Sequence, residues 1–378
     1  MTHETVMRNA RIVLRDRIVH GAIQIRDGRI ADISEGAVHG EDLGGDTLVA
    51  GCVELHTDHV ESHFVPRPKV RWNIMAALQA HDAQIAASGI TTVFDALRVG
   101  LDGDTELKGE DAREMAGAID AAMDAGRLRA DHYIHLRCEV SVPDVVDEFD
   151  AIAGNGRVRL ASLMDHAPLQ RQFVSLDAYK TYYQGKRRMS DADFHRFCER
   201  RLAESAAYSA LNRRSLAERC RERAIPIASH DDATAEHVAE GVELGIRLAE
   251  FPTTREAARL SHEAGMSVLM GAPNVVRGRS HSGNISARDL VESGHLDILS
   301  SDYVPFSLLQ AAFLLADDDI MSLPDAIALV TDTPARAAGM ADRGRLAPGL
   351  RADMVRIRTM QGEPPIVAGV WREGVRVA

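Results

Sequence analysis

Residues 48–63, LVAGCVELHTDHVESH, decide the fold of this chain. The apolar run from Leu48 to Val53 predicts a buried strand. Five side chains that suit a metal ion follow that run: His56, Asp58, His59, Glu61 and His63. Neutral imidazole and carboxylate groups are natural ligands of Zn²⁺ and Mn²⁺. Because the chemistry of a βα barrel collects at the C-terminal ends of its strands, the stretch predicts a metal-assisted hydrolase.

Composition narrows the class of protein. The chain has 378 residues, enough for a barrel of ~250 residues and an accessory module. A net charge of −12 argues against nucleic-acid binding. We expect neither a signal peptide nor a membrane span, because no apolar segment reaches the ~20 residues that a span needs. The four scattered cysteines predict reduced thiols in a cytoplasmic protein. The chain is either a monomer or a homodimer.

Two patterns divide the chain. Residues 1–50 and 345–378 contain short alternating apolar runs, which predict one small β-sandwich domain built from both ends. In residues 51–344, apolar strands alternate with helices eight times. This pattern predicts an α/β fold with parallel strands, a (β/α)₈ TIM-type barrel. The doubly wound open sheet is the competing fold. A basic segment at about 173–223 exceeds one strand–helix unit and predicts a helical insertion over the barrel mouth.

The ends of the predicted barrel strands carry the candidate metal ligands. His56 and Asp58 are two residues apart, so both lie on one face of a strand. Glu139, His230 and Asp302 follow the third, fifth and eighth strands, and we expect them at the same rim. Asp302 is the predicted catalytic base, which accepts the proton of a water that the metal activates. Alone, each motif has a simpler explanation: a surface pair for His56 and Asp58, and a helix cap for Asp302.

Cationic and polar groups at the same rim suit a small polyanionic substrate. Arginine suits phosphate oxygens because its guanidinium makes charge-assisted, bidentate contacts. The predicted substrate-binding residues are His59, Arg67, Lys69, Arg137, Arg171, Lys186, Arg277, Arg279, His281 and Tyr303.

These motifs resemble the amidohydrolase superfamily, with its sandwich from both termini, H-x-H/D on strand one, His on strand five and Asp on strand eight. Longer stretches, among them ELHTDHVESHFVPRPKVRW (54–72), LMGAPNVVRGRSHSGN (269–284) and LSSDYVP (299–305), resemble the branch that serves the carbon–phosphorus lyase pathway. The resemblance implies hydrolysis of a phosphorus-containing anhydride in phosphonate catabolism. Its expected substrate is α-D-ribose 1-methylphosphonate 5-triphosphate, and its expected products are the 5-phosphate and diphosphate.

The resemblance also implies metal roles for individual residues. It gives ligand roles to His56, Asp58, His230 and Asp302, and a bridging role to Glu139. The chain departs from the family pattern at Asp58, where a second histidine is common, and at Glu250, where strand six usually has a histidine. Glu250 is therefore either a ligand or a group that supports one. The expected cofactor is Zn²⁺, with Mn²⁺ as the alternative, as one ion or two.

Two other functions stay open. The same barrel could hydrolyse C–N bonds, as a deacetylase or a dihydroorotase-like enzyme does. A barrel that has lost its metal could instead serve as a scaffold without enzymatic activity.

Overall fold

The computed structural model describes residues 4–36, 39–100, 107, 109–171, 179–180, 183, 190–278 and 284–378. The strands in this part of the chain are β1 Glu4–Val13, β2 Ile18–Arg26, β3 Arg29–Ser34, β4 Glu41–Asp42, β5 Thr47–Ala50, β6 Cys52–Thr57, β7 Ile90–Val99, β8 Asp131–Glu139, β9 Val158–Met164, β10 Ile227–His230, β11 Leu248–Glu250, β12 Ser267–Gly271, β13 Ile298–Ser300, β14 Met354–Arg358, β15 Ile366–Arg372 and β16 Val375–Arg376. The helices are His59–Phe64, Ile74–Ala87, Gly109–Asp124, Val145–Ile152, Asp191–Glu222, Ala235–Leu244, Arg255–Glu263, Ala272–Arg277, Ala287–Glu292, Ser307–Asp317, Leu323–Ala328 and Asp332–Ala337.

Strands β6 to β13 form a parallel sheet in which each strand neighbours the next in the chain. The first and last strands meet, because Asp302 N donates to His56 O over 3.2 Å and Thr57 bridges to Asp302. The apolar residues Leu55, Phe94 and Leu248 belong to one buried cluster contributed by strands around the sheet. The predicted TIM-type barrel is confirmed, and the open doubly wound sheet is excluded by this closure.

The run Leu48 to Val53 is not one strand, and this prediction was wrong. Residues up to Ala50 belong to β5 in the terminal sheet, whereas β6 begins the barrel at Cys52. Gly51 separates the two strands and lies against Thr91, so a Cβ at this position would collide with the threonine side chain. The chain therefore passes from one sheet to the other at a glycine that tertiary packing requires.

Strands from both ends of the chain join in a second sheet, in the order β16-β15-β14-β5-β1-β2-β3, with β4 beside β1. A turn at Asp27 and Gly28 joins β2 to β3, and Gly28 has a φ of 79°. Met7, Ile23 and Trp371 lie in the core of this sheet. Its arrangement as a sandwich, and the division of the chain into two domains, remain predictions.

The long helix Asp191–Glu222 accounts for most of the predicted insertion. It begins at Ser190, whose Oγ accepts from Asp193 N over 3.2 Å, and this cap satisfies a backbone amide of the first turn. Arg201 of this helix is completely buried and reaches Glu139 at the barrel rim. The helix is therefore packed against the barrel rather than solvated on all sides. Among the described residues, no helix has both the length and the apolar composition needed to cross a bilayer.

Candidate metal centre

Glu250 at the end of β11 connects two histidines at the barrel mouth. Its Oε1 lies 3.2 Å from His56 Nδ1, and its Oε2 lies 3.1 Å from His230 Nδ1. Ser162 Oγ also donates to Oε2 over 2.7 Å. All three strand ends are buried. Burial would raise the pKa of Glu250, but the neighbouring His56 and His135 and the hydrogen bonds with His230 and His56 hold it well below the ordinary value. Both oxygens of Glu250 are thus occupied.

This arrangement leaves the far side of the His56 ring available. His56 Nε2 is buried and has no hydrogen-bond partner among the described residues. The rings of His56 and His230 stack with centroids 5.6 Å apart. Histidines that bind a metal commonly donate the other ring N–H to a carboxylate, which fixes the orientation of the ring. Glu250 has the position of such a carboxylate for both rings.

Asp58 and Asp302 form the acidic side of the mouth. Burial, followed by the nearby negative charge of Asp58, raises the pKa of Asp302 to about 7. The pKa of Asp58 is lowered instead, because Arg137 and Arg98 outweigh its burial, and Arg137 Nη1 lies 3.0 Å from Asp58 Oδ2. Asp302 has a left-handed backbone, with a φ of 54°, directly after β13. Such strained residues are frequent at functional sites.

Glu54 fixes the relative position of the two strands that carry this pair. Its carboxylate accepts from His56 N over 2.7 Å, from Ser300 Oγ over 2.7 Å and from Ser301 N over 2.5 Å. It therefore joins the first barrel strand to the last, just below His56 and Asp302.

A second group lies on the neighbouring strands. Glu139 Oε2 accepts from His166 Nδ1 over 2.7 Å, and Arg201 Nη2 donates to Glu139 Oε1 over 3.0 Å. His166 Nε2 faces Asp231 Oδ2 at 3.8 Å, and His230 Nε2 faces the same oxygen at 3.5 Å. His166, His230 and Asp231 offer ligand atoms within 4.8 Å of one another, as do His56, His135 and Glu250.

The residues present fit a divalent cation. His56 Nε2 has no hydrogen-bond partner among the described residues and can offer a lone pair. Asp58 and Asp302 repel each other, so negative charge accumulates between them. Histidine nitrogen and carboxylate oxygen together suit Zn²⁺ and also Mn²⁺. The centre can therefore hold a metal with donors from several strands.

The predicted substrate-binding residues divide into groups. Arg67, Lys69, Arg277 and Tyr303 are exposed, and no ion pair of the three cations is found in the described part of the chain. Arg137 and Arg171 are buried and already paired, Arg171 with Asp232 and Glu240, so their charges are largely neutralised within the protein. The remaining predicted residues are His59, which is partly buried, and Lys186, Arg279 and His281, which lie outside the described residues.

Several residues at the site were not assigned a role from sequence. His166 lies two residues after β9 and Asp231 directly after β10, so the strand-end rule places both at the rim although it gives neither of them a role. Glu54 lies two positions before His56, on the same face of β6, and this spacing was its signal. His135 is held on both sides, by Leu55 O at 2.9 Å and by Ser162 Oγ.

Comparison with known proteins agrees with this fold. Residues 207–378 match the model of the amidohydrolase family. Among the solved structures of similar fold, 5-methylcytosine deaminase from Klebsiella pneumoniae has 14% sequence identity and a TM-score of 0.66, and the match covers 99% of this chain and 97% of that one. N-acetyl-D-glucosamine-6-phosphate deacetylase from Mycobacterium smegmatis has 16% identity and a TM-score of 0.62, and the match covers 99% of each chain. At these identities the likeness establishes the fold alone.

The chain belongs to the amidohydrolase family, whose members are metal-dependent hydrolases. Within it, a curated relative is similar over its whole length. The α-D-ribose 1-methylphosphonate 5-triphosphate diphosphatase of Escherichia coli K12 is 46% identical over 382 residues, which cover 98% of this chain and 100% of the relative.

Proposed function

We propose that this protein hydrolyses α-D-ribose 1-methylphosphonate 5-triphosphate to the 5-phosphate and diphosphate, as a phosphorus-anhydride hydrolase of phosphonate catabolism. The observation that carries the proposal is the 46% identity to the Escherichia coli diphosphatase, which extends over the full length of that enzyme. The site supports it, because its acids and histidines suit a metal-dependent hydrolase. The exposed cations Arg67, Lys69 and Arg277 suit a polyanion.

The metal, Zn²⁺ or alternatively Mn²⁺, would supply Lewis acidity and make water a nucleophile at neutral pH. His56, His230, Asp58 and Asp302 would hold it, as one ion or two. Glu250 and Glu139 were predicted as ligands. Because hydrogen bonds occupy the oxygens of both, we propose instead that Glu250 orients the rings of His56 and His230 and that Glu139 orients the ring of His166.

Asp302 accepts the proton of the attacking water. Its carboxylate has no side-chain hydrogen bond within the described residues, so it is available as an acceptor. The water oxygen forms a bond to the α-phosphorus, and the bond from that phosphorus to the oxygen bridging to the β-phosphorus breaks. Diphosphate leaves with the bonding electrons, and the charge that develops on it is met by cations at the rim.

The test compares three substrates with protein of measured metal content. The ribosyl triphosphate should release diphosphate, observed by ³¹P NMR, whereas N-acetylglucosamine 6-phosphate and dihydroorotate should not react. Hydrolysis of a C–N bond without release of diphosphate would favour the amidase alternative. Inactivity of metal-loaded protein on all three would favour the scaffold.

Isotope labelling tests which phosphorus is attacked. In ¹⁸O water, attack at the α-phosphorus puts the label into the ribosyl 5-phosphate. Label found only in diphosphate would refute this step while leaving the overall reaction in place.

The wider organisation belongs to the same proposal. Residues 1–50 and 345–378 form a β-sandwich domain beside a barrel at 51–344, and the enzyme acts on a free small molecule in the cytoplasm. Lys186, Arg279 and His281 complete the set of substrate contacts together with Tyr303.

A further inference from the structure

Three histidines that the proposed reaction does not use lie together beside the barrel mouth. His59 and His63 are one turn apart on the helix His59–Phe64, so they share a face of that helix. His81 projects toward them from the helix Ile74–Ala87. The ring centroids are 4.9, 5.8 and 5.9 Å apart, and one ring nitrogen from each residue lies within 4.8 Å of the others.

Two ring nitrogens in this cluster have no hydrogen-bond partner among the described residues. His81 is completely buried, and its Nδ1 has no hydrogen bond among the described residues. His59 Nδ1 is also buried and unpartnered within the same part of the chain. A buried ring nitrogen without a partner is costly, so native proteins rarely keep one unless a ligand or an ion satisfies it.

The opposite side of His81 is fixed by a chain of hydrogen bonds. His81 Nε2 lies 2.7 Å from Asp95 Oδ1, and the other oxygen of Asp95 lies 2.7 Å from His132 Nδ1. His132 Nε2 in turn faces Asp82 at 3.3 Å. Because a carboxylate can only accept, His81 Nε2 carries the proton and Nδ1 carries the lone pair. A carboxylate behind a histidine is the usual outer support of a metal ligand.

We propose that His59, His63 and His81 bind a zinc ion at a site separate from the centre formed by His56, His230 and Asp302. Three imidazole nitrogens and one water complete a four-coordinate shell, and an all-nitrogen protein donor set favours Zn²⁺ over Mn²⁺. The ion joins the first two helices of the barrel immediately after Asp58. It is a positioning site that fixes where Asp58 begins its helix, and it gives His59 a role other than substrate contact.

The first test counts ions. Zinc-loaded protein is passed through gel filtration, and zinc per chain is measured by mass spectrometry for the wild type and for His63→Gln. His63 is half-buried and its ring is 3.3 Å from Gln84 Oε1, so the replacement leaves the buried network intact. The matched control is His262→Gln, a partly exposed histidine that bonds Asp297 elsewhere. We expect one ion fewer per chain in His63→Gln and no change in His262→Gln. Equal zinc content in all three proteins would overturn the proposal.

The second test separates the two sites by spectroscopy. His230→Asn disables the centre in the barrel, so cobalt bound to this variant reports the histidine cluster. We expect the intense visible bands of four-coordinate Co²⁺ at one ion per chain, and their loss when His63→Gln is added. A variant that is folded by circular dichroism but shows no such bands, or bands that persist in the double variant, would refute the site.

Discussion

The buried Asp95 and the half-buried Asp302 lie at the same level on either side of Thr57, and their surroundings are opposite. The parallel register pairs Thr57 with Asp95 of β7, and an isolated bridge pairs it with Asp302. The two oxygens of Asp95 each lie 2.7 Å from a histidine, His81 of the helix Ile74–Ala87 and His132 of strand β8. These neighbours hold its pKa far below the ordinary value, although burial alone would raise it. Asp302 faces Asp58 instead, and its pKa is raised to about 7.

The difference shows that burial does not by itself decide what an acid does. A buried carboxylate is tolerated when partners compensate the loss of water, and Asp95 has two such partners. Asp302 has the same side chain at the same level, but within the described residues no hydrogen bond to its carboxylate offsets the loss of water. Asp95 therefore stabilises the fold, whereas Asp302 is suited to bind a cation and to accept a proton. A perturbed pKa next to a cleft is the physical signature of that second use.

Replacing Asp302 should have the largest effect. Asp302→Asn removes the proton acceptor, and we expect kcat to fall by a factor of about 10³, because a positioned general base contributes roughly 10²–10⁴. The free energy of unfolding at pH 7 should not decrease, since the repulsion with Asp58 is relieved. Steady-state kinetics and chemical denaturation measure the two quantities.

Metal content is the control for this variant. We expect His56 and His230 to retain the ion, so zinc per chain should match the wild type. A kcat within a few-fold of the wild-type value in metal-loaded protein would remove Asp302 from the role of base.

Asp95→Asn should show the reverse pattern. Removing one charge from a buried, hydrogen-bonded pair leaves its partner uncompensated, which costs roughly 3–5 kcal/mol. We therefore expect a loss of about 3 kcal/mol in the free energy of unfolding, measured in urea, with kcat per folded molecule reduced far less than in Asp302→Asn. Stability equal to that of the wild type would mean that the Asp95 network does not hold the fold.

The pH dependence of stability sharpens the same contrast. Asp95 is the main attractive partner that, against the effect of burial, raises the pKa of His132 to about 9. A raised folded pKa stabilises the fold fully below the unfolded value of about 6.5, and this contribution is lost as the pH rises through about 9. We expect the free energy of unfolding to fall by up to about 3 kcal/mol across that window. His132→Gln should lack this dependence, and an equally steep decline in the variant would assign it to another group.

Part of this molecule could be predicted from its sequence because the relevant interactions are local. A parallel strand buried on both faces is a largely apolar run, and the strand Val158–Met164 has this pattern. The strand-end rule brought His56, Asp58, His230 and Asp302 to one rim. The single strand predicted over the run Leu48 to Val53 is divided at Gly51, where a Cβ would collide with Thr91.

The remaining features depend on partners far away in the chain. Arg171 was predicted to meet the substrate, but Asp232 and Glu240, more than sixty positions later, neutralise it. Glu54 reaches Ser300 across 246 positions. No local pattern contains that information, because it arises only when the barrel closes.

Glu250 offers the finest test, since it is a buried acid that resembles Asp95 in its contacts but lies at the metal centre. Its two oxygens face His56 and His230, so Glu250→Gln places an NH₂ group against one ring N–H and forces that imidazole to reorient. Loss of an outer-shell partner typically weakens metal binding 10–100-fold, and we expect a change of about that size in zinc affinity, measured by chelator competition. The surface variant Glu263→Gln, which removes an exposed pair with Arg259, is the matched control and should bind zinc as the wild type does. A much larger loss in Glu250→Gln would make Glu250 a direct ligand, whereas unchanged affinity would show that the two rings are held in place without it.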